Sequence, residues 1–296
     1  MTRITTGKVE LEVHSLGDPA HPAVVLIAGL GFQLIDWPTS FCEDLVDAGY
    51  RVIRIDNRDI GLSEKLDDLG VPDLGAILED KREGNIPSVP YRLGDMAEDV
   101  AVVLDGLDIE KAHIVGMSMG GMIAQLFAFQ FSARCISLTS IMSSSSDSTL
   151  PGPSPAATEI MSSAPQSQEM LDIVQFGLRV NEVIGSPGFR WDRTELIKHI
   201  QTCFNRSYSP AGYMRQYAAV MAAPSRREIL EGIAAPALVI HGDADPLLPL
   251  ACGEDVANHI PGATFVQVSG MGHDLSPALC SHFSELLIPH FKAADS

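Results

Sequence analysis

Residues 112–121 read AHIVGMSMGG. The first four are mostly apolar and form a short run of the kind found in strands buried on both faces of a sheet. Ser118 follows in a tight turn, and an apolar segment at 121–131 predicts a helix. A side chain at the apex of a sharp strand-to-helix turn needs small neighbours two positions away, and these are Gly116 and Gly120. The G-x-S-x-G pattern therefore predicts that Ser118 is an exposed nucleophile.

Working outward from this turn, apolar runs and helical spacings alternate along the chain. The predicted strands lie at 9–13 (an edge strand), 23–27, 50–55, 112–115, 135–141, 237–240 and 264–268. The predicted helices lie at 37–48, 93–107, 121–131, 167–184, 192–204, 210–222 and 277–291, and 60–94 is predicted to be a long loop with one short helix. Alternating strands and helices imply right-handed crossovers and an α/β fold with a mostly parallel, doubly wound sheet.

The composition changes after Ile141. A serine run at 143–146 and three prolines at 151–155 are typical of a loop, and the patterns from 156 to 223 are helical only. The sequence therefore predicts a core domain of residues 1–142 and 224–296, with an inserted helical cap domain at 143–223.

A serine hydroxyl is a weak nucleophile and needs a base within hydrogen-bond reach. His273 follows the last predicted strand, and the nearby glycines at 270 and 272 suit an exposed imidazole on a turn. The base in turn needs an acid to fix its tautomer, and two aspartates, Asp243 and Asp245, follow the strand at 237–240. We favour Asp245, because Pro246 turns the chain behind it, while Asp243 could instead hold the turn through local backbone bonds.

Two backbone N–H groups should stabilise the oxyanion that such a nucleophile produces. Met119 comes directly after the nucleophile and supplies the first. The loop after the 23–27 strand carries Gly29 and Gly31, and Leu30 between them is the expected second donor.

These segments resemble the α/β-hydrolase family of capped single-chain esterases and lipases over nearly the whole chain. The resemblance is carried by 28–31, by 56–63 (DNRDIGLS), by the Ser118 turn and by the Asp245 and His273 segments. Ala28 stands where the family commonly has His, and Asp59 where it commonly has Gly. In this last feature the chain is most similar to methylesterases that act on anthracycline-type polyketides.

The resemblance implies a carboxylesterase that cleaves small to medium esters through an acyl-enzyme, with no cofactor and no metal. Ser118 at the turn disfavours the relatives that cleave carbon–halogen bonds or epoxides, since those use aspartate there. The triad leaves open a carbon–carbon bond hydrolase of the same fold, a cofactor-free haloperoxidase-like relative, and a ligand receptor with a vestigial triad. A structural protein on an inactive scaffold is disfavoured, because every catalytic position is occupied.

Five methionines lie near the proposed site in sequence, and they favour core packing over an adaptable substrate pocket. They are Met117, Met119, Met122, Met142 and Met271. Aromatic residues in the predicted cap could line a substrate roof or pack the cap core. They are Phe176, Trp191, Phe204, Tyr208, Tyr213 and Tyr217.

The formal charge of −18 over 296 residues argues against nucleic acid or a stable anionic membrane as a partner. Five scattered cysteines without a CxxC pair favour reduced thiols and give no metal-ligand spacing. Residues 1–7 lack the apolar run of a signal peptide, so a cytoplasmic location is expected. The expected partner is a small-molecule ester, and a homodimer stays open.

Overall fold

The computed structural model describes residues 2–296, which form one eight-stranded sheet with helices on both faces. The strands are β1 (Thr2–Thr5), β2 (Glu10–Leu16), β3 (Ala23–Ile27), β4 (Arg51–Ile55), β5 (Ala112–Met117), β6 (Cys135–Ile141), β7 (Ala237–Gly242) and β8 (Thr264–Val268). Their order across the sheet is β1-β2-β4-β3-β5-β6-β7-β8. The β1–β2 and β2–β4 pairs are antiparallel and the remaining pairs are parallel, which confirms the predicted α/β-hydrolase architecture.

The helices, in chain order, connect or flank these strands. They are α1 (Thr39–Asp47), α2 (Leu74–Glu83), α3 (Leu93–Gly106), α4 (Met119–Gln130), α5 (Pro155–Met161), α6 (Met170–Ile184), α7 (Arg193–Arg206), α8 (Pro210–Met221), α9 (Arg227–Glu231), α10 (Leu250–His259) and α11 (Pro277–Ala294). A 3-10 turn spans Leu34–Asp36. Among residues 2–296, no helix is both long and apolar enough to cross a bilayer.

Strand β3 shows why the central strands are continuous apolar runs. All five of its residues are buried. Val25 and Ile27 pack in the cluster that contains α3 and α4, while Val24 and Leu26 pack in the cluster that contains α1 and α11. Successive side chains of a strand point to opposite faces, so a strand covered on both faces must be apolar at every position.

The strand predicted at 9–13 is present, but the prediction that it lies at the edge of the sheet is wrong. β2 extends to Leu16 and lies second, and the edge is formed by β1, which pairs with it. β1 escapes detection because it has four residues, of which only Ile4 is buried. Helices α5, α9 and α10 were not predicted either, and α2 is the short helix expected within 60–94.

Between β6 and β7 the described residues contain α5 to α9 and no strand. Val174, Leu178 and Leu196, on α6 and α7, form an apolar cluster of their own, whereas Leu230 of α9 packs into the main core. The boundaries of the cap at 143 and 223 stay a prediction.

Candidate active site

Ser118 occupies the turn between β5 and α4 with a backbone φ of 53° and ψ of −120°. A positive φ at a residue with a Cβ costs on the order of 1–3 kcal/mol and persists only where the surroundings impose it. Here the Ser118 N–H donates to the Ile141 carbonyl at 2.9 Å, and the Ser143 hydroxyl donates to the Ser118 carbonyl at 2.8 Å. The end of β6 and the loop after it therefore hold the strained turn in place.

The two glycines of this turn are required for steric reasons. A Cβ on Gly116 would collide with the Gly120 carbonyl, and a Cβ on Gly120 would collide with the Ile27 carbonyl of β3. The turn is thus pressed against both itself and the neighbouring strand, which leaves no space for a side chain at either glycine.

The structure brings Ser118, His273 and Asp245 into one hydrogen-bonded line. His273 Nε2 lies 2.9 Å from Ser118 Oγ, and His273 Nδ1 lies 2.7 Å from Asp245 Oδ2. Because a carboxylate can only accept, Nδ1 carries the proton and Nε2 is free to accept one from the serine. His273 and Asp245 are buried, while Ser118 is half-buried.

Asp245 is held ionised by what surrounds it. Burial opposes its charge, but His273, together with the Leu247 and Leu248 N–H groups that donate to Oδ1 at 2.9 Å, lowers the pKa of Asp245 below the ordinary value of a carboxyl. Asp243 behaves differently. It is exposed and accepts a 2.7 Å bond from the Gly270 N–H, so it ties the end of β7 to the loop before His273 and does not bond its own turn as considered from the sequence.

The loop that carries His273 is fastened to the end of α6, a contact that the sequence did not reveal. The His273 N–H donates to the Ile184 carbonyl at 2.6 Å. The next residue, Asp274, accepts from the Ser186 N–H at 3.1 Å and from the Asn181 amide at 2.8 Å. A Cβ on Gly272 would lie 2.6 Å from the Ile184 carbonyl oxygen, so this close approach needs glycine.

The expected oxyanion loop lies directly against Ser118. A Cβ built on Gly29 would lie 3.3 Å from Ser118 Cβ. The Gly31 N–H is already engaged, since it donates to Gln216 Oε1 at 2.9 Å. Among residues 2–296, neither the Leu30 N–H nor the Met119 N–H has a protein acceptor, so both remain able to bind an oxyanion.

Gln216 of α8 ties this loop to a second one. Its amide accepts from Gly31 and donates to the Arg58 carbonyl at 2.9 Å. The loop's own carbonyl at Ala28 accepts a 3.0 Å bond from Asn57. With Ala28 in place of the family's usual His, this loop is held by hydrogen bonds to the side-chain amides of Asn57 and Gln216.

Asp59, the unusual residue of the 56–63 segment, has φ 74° and anchors α8. Arg215 donates to both carboxylate oxygens of Asp59, at 2.9 and 2.7 Å, and the Tyr91 hydroxyl donates to one of them at 2.7 Å. Both charged side chains are fully buried. The sequence marked Asp59 as a departure from the family but gave no signal for its partner 156 residues away.

The remaining sequence expectations concern the pocket walls. The five methionines are buried and pack in the two main core clusters, as core packing predicts. Tyr213 lies over the oxyanion loop, 2.7 Å from where a Cβ of Gly31 would be, and stacks with Tyr217. Trp191 stacks on His199, and Phe204 packs on Tyr208, within the helical segment.

Comparison with known proteins places these features in context. A family described as the alpha/beta hydrolase fold matches residues 22–173, and one described as TAP-like protein matches 201–283. Rhodomycin D methylesterase DnrP of Streptomyces peucetius and its counterpart DauP of Streptomyces sp. (strain C5) are each 28% identical, over 98% of both chains. The 2-hydroxy-6-oxo-6-phenylhexa-2,4-dienoate hydrolase (BphD) of Rhodococcus sp. strain RHA1 is 20% identical with a TM-score of 0.75, covering 98% of this chain and 97% of that one.

Proposed function

The chain belongs to the α/β-hydrolase fold family, and within it we propose a carboxylesterase that cleaves small to medium esters through an acyl-enzyme on Ser118. The observation that carries the proposal is the line from Ser118 Oγ to His273 to Asp245, with bonds of 2.9 and 2.7 Å. A nucleophile bonded to a base, and that base bonded to a buried acid, is the arrangement that acyl transfer requires.

In the first half of the reaction His273 Nε2 takes the Ser118 proton while Oγ bonds to the ester carbonyl carbon. The negative charge that develops on the carbonyl oxygen is met by the N–H groups of Met119 and Leu30. One such donor contributes on the order of 10²–10³-fold to kcat. Collapse of the intermediate breaks the carbon–oxygen bond, and the alcohol leaves with the proton from His273.

In the second half His273 removes a proton from water, whose oxygen attacks the acyl carbon of Ser118. The carboxylic acid is released and Oγ regains its proton. Asp245 stays ionised throughout, which keeps the proton of neutral His273 on Nδ1 and stabilises the imidazolium that forms in each half.

For the substrate class we propose methyl esters of carboxylic acids. The support is that two relatives aligned over nearly the full chain are named as methylesterases. Methanol is a small leaving group, so the half-buried Ser118 would need little space on the alcohol side. The acyl side would lie under Tyr213, which covers the oxyanion loop.

The test is hydrolysis of p-nitrophenyl acetate, butyrate and octanoate, and of a methyl ester series, by the wild type and Ser118→Ala. We expect the variant to lose at least about a thousandfold in kcat, as removal of a triad nucleophile does. Ser281→Ala, an exposed serine on α11, is the matched control and should keep full activity.

Other outcomes would replace the proposal. Turnover of a vinylogous diketone without any ester hydrolysis would make the chain a carbon–carbon bond hydrolase. Very slow turnover together with ligand-dependent stabilisation of α5–α8 would make it a receptor. A rate that rises steeply up to palmitoyl esters would contradict the preference for small to medium esters.

A further inference from the structure

A second group of reactive side chains lies outside the proposed active site, where α7 meets the 3-10 turn after β3. His199 Nε2 is 2.7 Å from Asp36 Oδ1, and Cys203 Sγ is 3.6 Å from the same nitrogen and 3.8 Å from the same oxygen. His199 and Cys203 are four residues apart on one face of α7, while Asp36 comes from a segment 163 residues earlier in the chain. All three side chains are half-buried.

These contacts do not form a second proton relay. In a relay the acid bonds one imidazole nitrogen and the nucleophile bonds the other, as at His273. Here Asp36 and Cys203 both approach Nε2 of His199. Three ligand atoms of three different types thus lie within 4.8 Å of one another, as a metal site requires.

The separation between the sulfur and nitrogen atoms agrees with a tetrahedral zinc ion, whereas the separation between the oxygen and nitrogen atoms would have to widen. Bonds of about 2.3 Å to sulfur and about 2.1 Å to nitrogen at a tetrahedral angle place those two ligand atoms about 3.6 Å apart. The observed distance between Cys203 Sγ and His199 Nε2 is 3.6 Å. The distance from Asp36 Oδ1 to His199 Nε2 would have to open from 2.7 Å to about 3.4 Å, as a hydrogen bond gives way to a shared ion.

The surroundings already hold the ligands in place. The second oxygen of Asp36 accepts a 2.6 Å bond from the Gln33 N–H, and the Gln33 amide donates to the Cys203 carbonyl at 2.8 Å. The ring of Trp191 stacks on His199 at 5.4 Å. Outer contacts of this kind orient the ligands of metal sites and contribute to affinity.

The charge balance also suits a divalent cation. A carboxylate and a thiolate together neutralise two positive charges, and imidazole, carboxylate and thiolate form a mixed set that suits Zn²⁺. The nearby guanidinium of Arg206 is engaged by Asp56 at 2.7 Å and by Gln33 at 2.8 Å.

We propose that Asp36, His199 and Cys203 form a Zn²⁺ site that joins α7 to the turn following the oxyanion loop, with the fourth position open to water. Binding would break the S–H bond of Cys203, release its proton to solvent and form the Zn–S bond. No redox step is involved. The site is independent of the esterase chemistry at Ser118.

The first experiment titrates chelator-treated protein with Zn²⁺ by calorimetry, using Mg²⁺ as the control ion. We expect one Zn²⁺ per chain and no competition from Mg²⁺, which avoids sulfur and nitrogen ligands. Cys203→Ser, His199→Asn and Asp36→Asn should each weaken Zn²⁺ binding at least about 100-fold, since even loss of an outer contact costs 10–100-fold. His282→Asn, at a half-buried histidine on α11 outside this cluster, should leave binding unchanged.

The second experiment needs only the wild type, so it stays decisive if a variant fails to fold. Four of the five cysteines are buried and Cys203 is half-buried, so Cys203 is the thiol most accessible to iodoacetamide. We expect Zn²⁺ to protect it, mapped by peptide mass spectrometry, and Co²⁺ to give the visible bands of a tetrahedral site with a thiolate charge-transfer band. Unchanged alkylation with Zn²⁺, or Zn²⁺ binding that all three variants retain, would overturn the proposal.

Discussion

The loops at the carboxyl ends of the strands and the helices between β6 and β7 reach the same site by different means. Ser118, Asp245 and His273 each follow a strand of the parallel sheet closely, so the fold itself brings them to one edge. The helices reach that edge through polar contacts between residues far apart in sequence, such as Gln216 to Gly31 and the Ile184 carbonyl to His273. The first region supplies the proposed reacting groups, and the second contacts the loops around them.

The largest effect is expected from replacing the proposed acid, Asp245, which follows the end of β7, because this change leaves the contacts of the helices intact. Asp245→Asn should lower kcat by about 10⁴-fold, because an amide at this position favours the wrong tautomer of His273. Asp243→Asn is the matched control two residues away, since Asp243 is exposed and bonds only the 267–270 turn. Ester hydrolysis by purified variants checks this, and equal losses in the two variants would reassign the acid.

The next largest effect is a loss of stability, expected when the ion pair that anchors α8 is removed. Arg215→Met leaves the Asp59 carboxylate fully buried without its cation, which should lower the free energy of unfolding by about 3–5 kcal/mol. Arg193→Met removes the exposed pair with Glu182 and should cost about 0–1 kcal/mol. Urea unfolding at neutral pH measures both. Similar costs for the two variants would mean that Asp59 does not depend on Arg215.

A third prediction tests the opposite end of β5, away from Ser118. His113 is fully buried, bonds Ser137 and Asp295, and burial lowers its pKa to about 4. The unfolded chain therefore takes up a proton at this residue near its ordinary pKa, above the pH at which the folded chain does. Stability should be lost as the pH falls from about 6.5 toward about 4.

The size of this loss follows from the pKa difference. Between pH 7 and pH 5 the His113 contribution amounts to about 2 kcal/mol. His113→Gln should lack it, so its free energy of unfolding should fall by about 2 kcal/mol less than that of the wild type over this range. Parallel slopes for the two proteins would show that His113 titrates alike in both states. The measurement reports on the strand core and not on the candidate site, because His113 lies at the start of β5 and Ser118 follows its end.

The contrast between strand ends and helices also explains which features could be predicted from the sequence. Strands β3, β6 and β8 were predicted with their observed bounds, because an apolar run between turn residues is a local signal. The approach of His273 and Asp245 to Ser118 was expected from parallel strand ends, and the structure brings the three together. β1 and α10 gave too few apolar residues at regular spacing to be recognised.

The contacts of the helical segment could not be predicted in the same way. Arg215 and Asp59 are separated by 156 residues, and Asp36 and His199 by 163. No local pattern encodes such a pairing. Spacings between cysteines do not indicate a site in which a single cysteine, Cys203, lies four residues after a histidine.

The smallest effect is predicted for Gln216, a single side chain that connects the helices to the loops at the strand ends. Gln216 accepts from the Gly31 N–H and donates to the Arg58 carbonyl, both at 2.9 Å, and so fixes the loop that presents the Leu30 N–H. Gln216→Ala should lower kcat by about tenfold, equivalent to about 1.4 kcal/mol of transition-state stabilisation, with a smaller change in KM. Gln216→Glu should restore part of kcat, because its carboxylate still accepts from Gly31 although it cannot donate to Arg58. Exposed Gln267 supplies the control variant, Gln267→Ala. If Gln216→Ala changed stability but not kcat, the contact from α8 would not position the oxyanion loop. The sheet alone would then hold that loop in place.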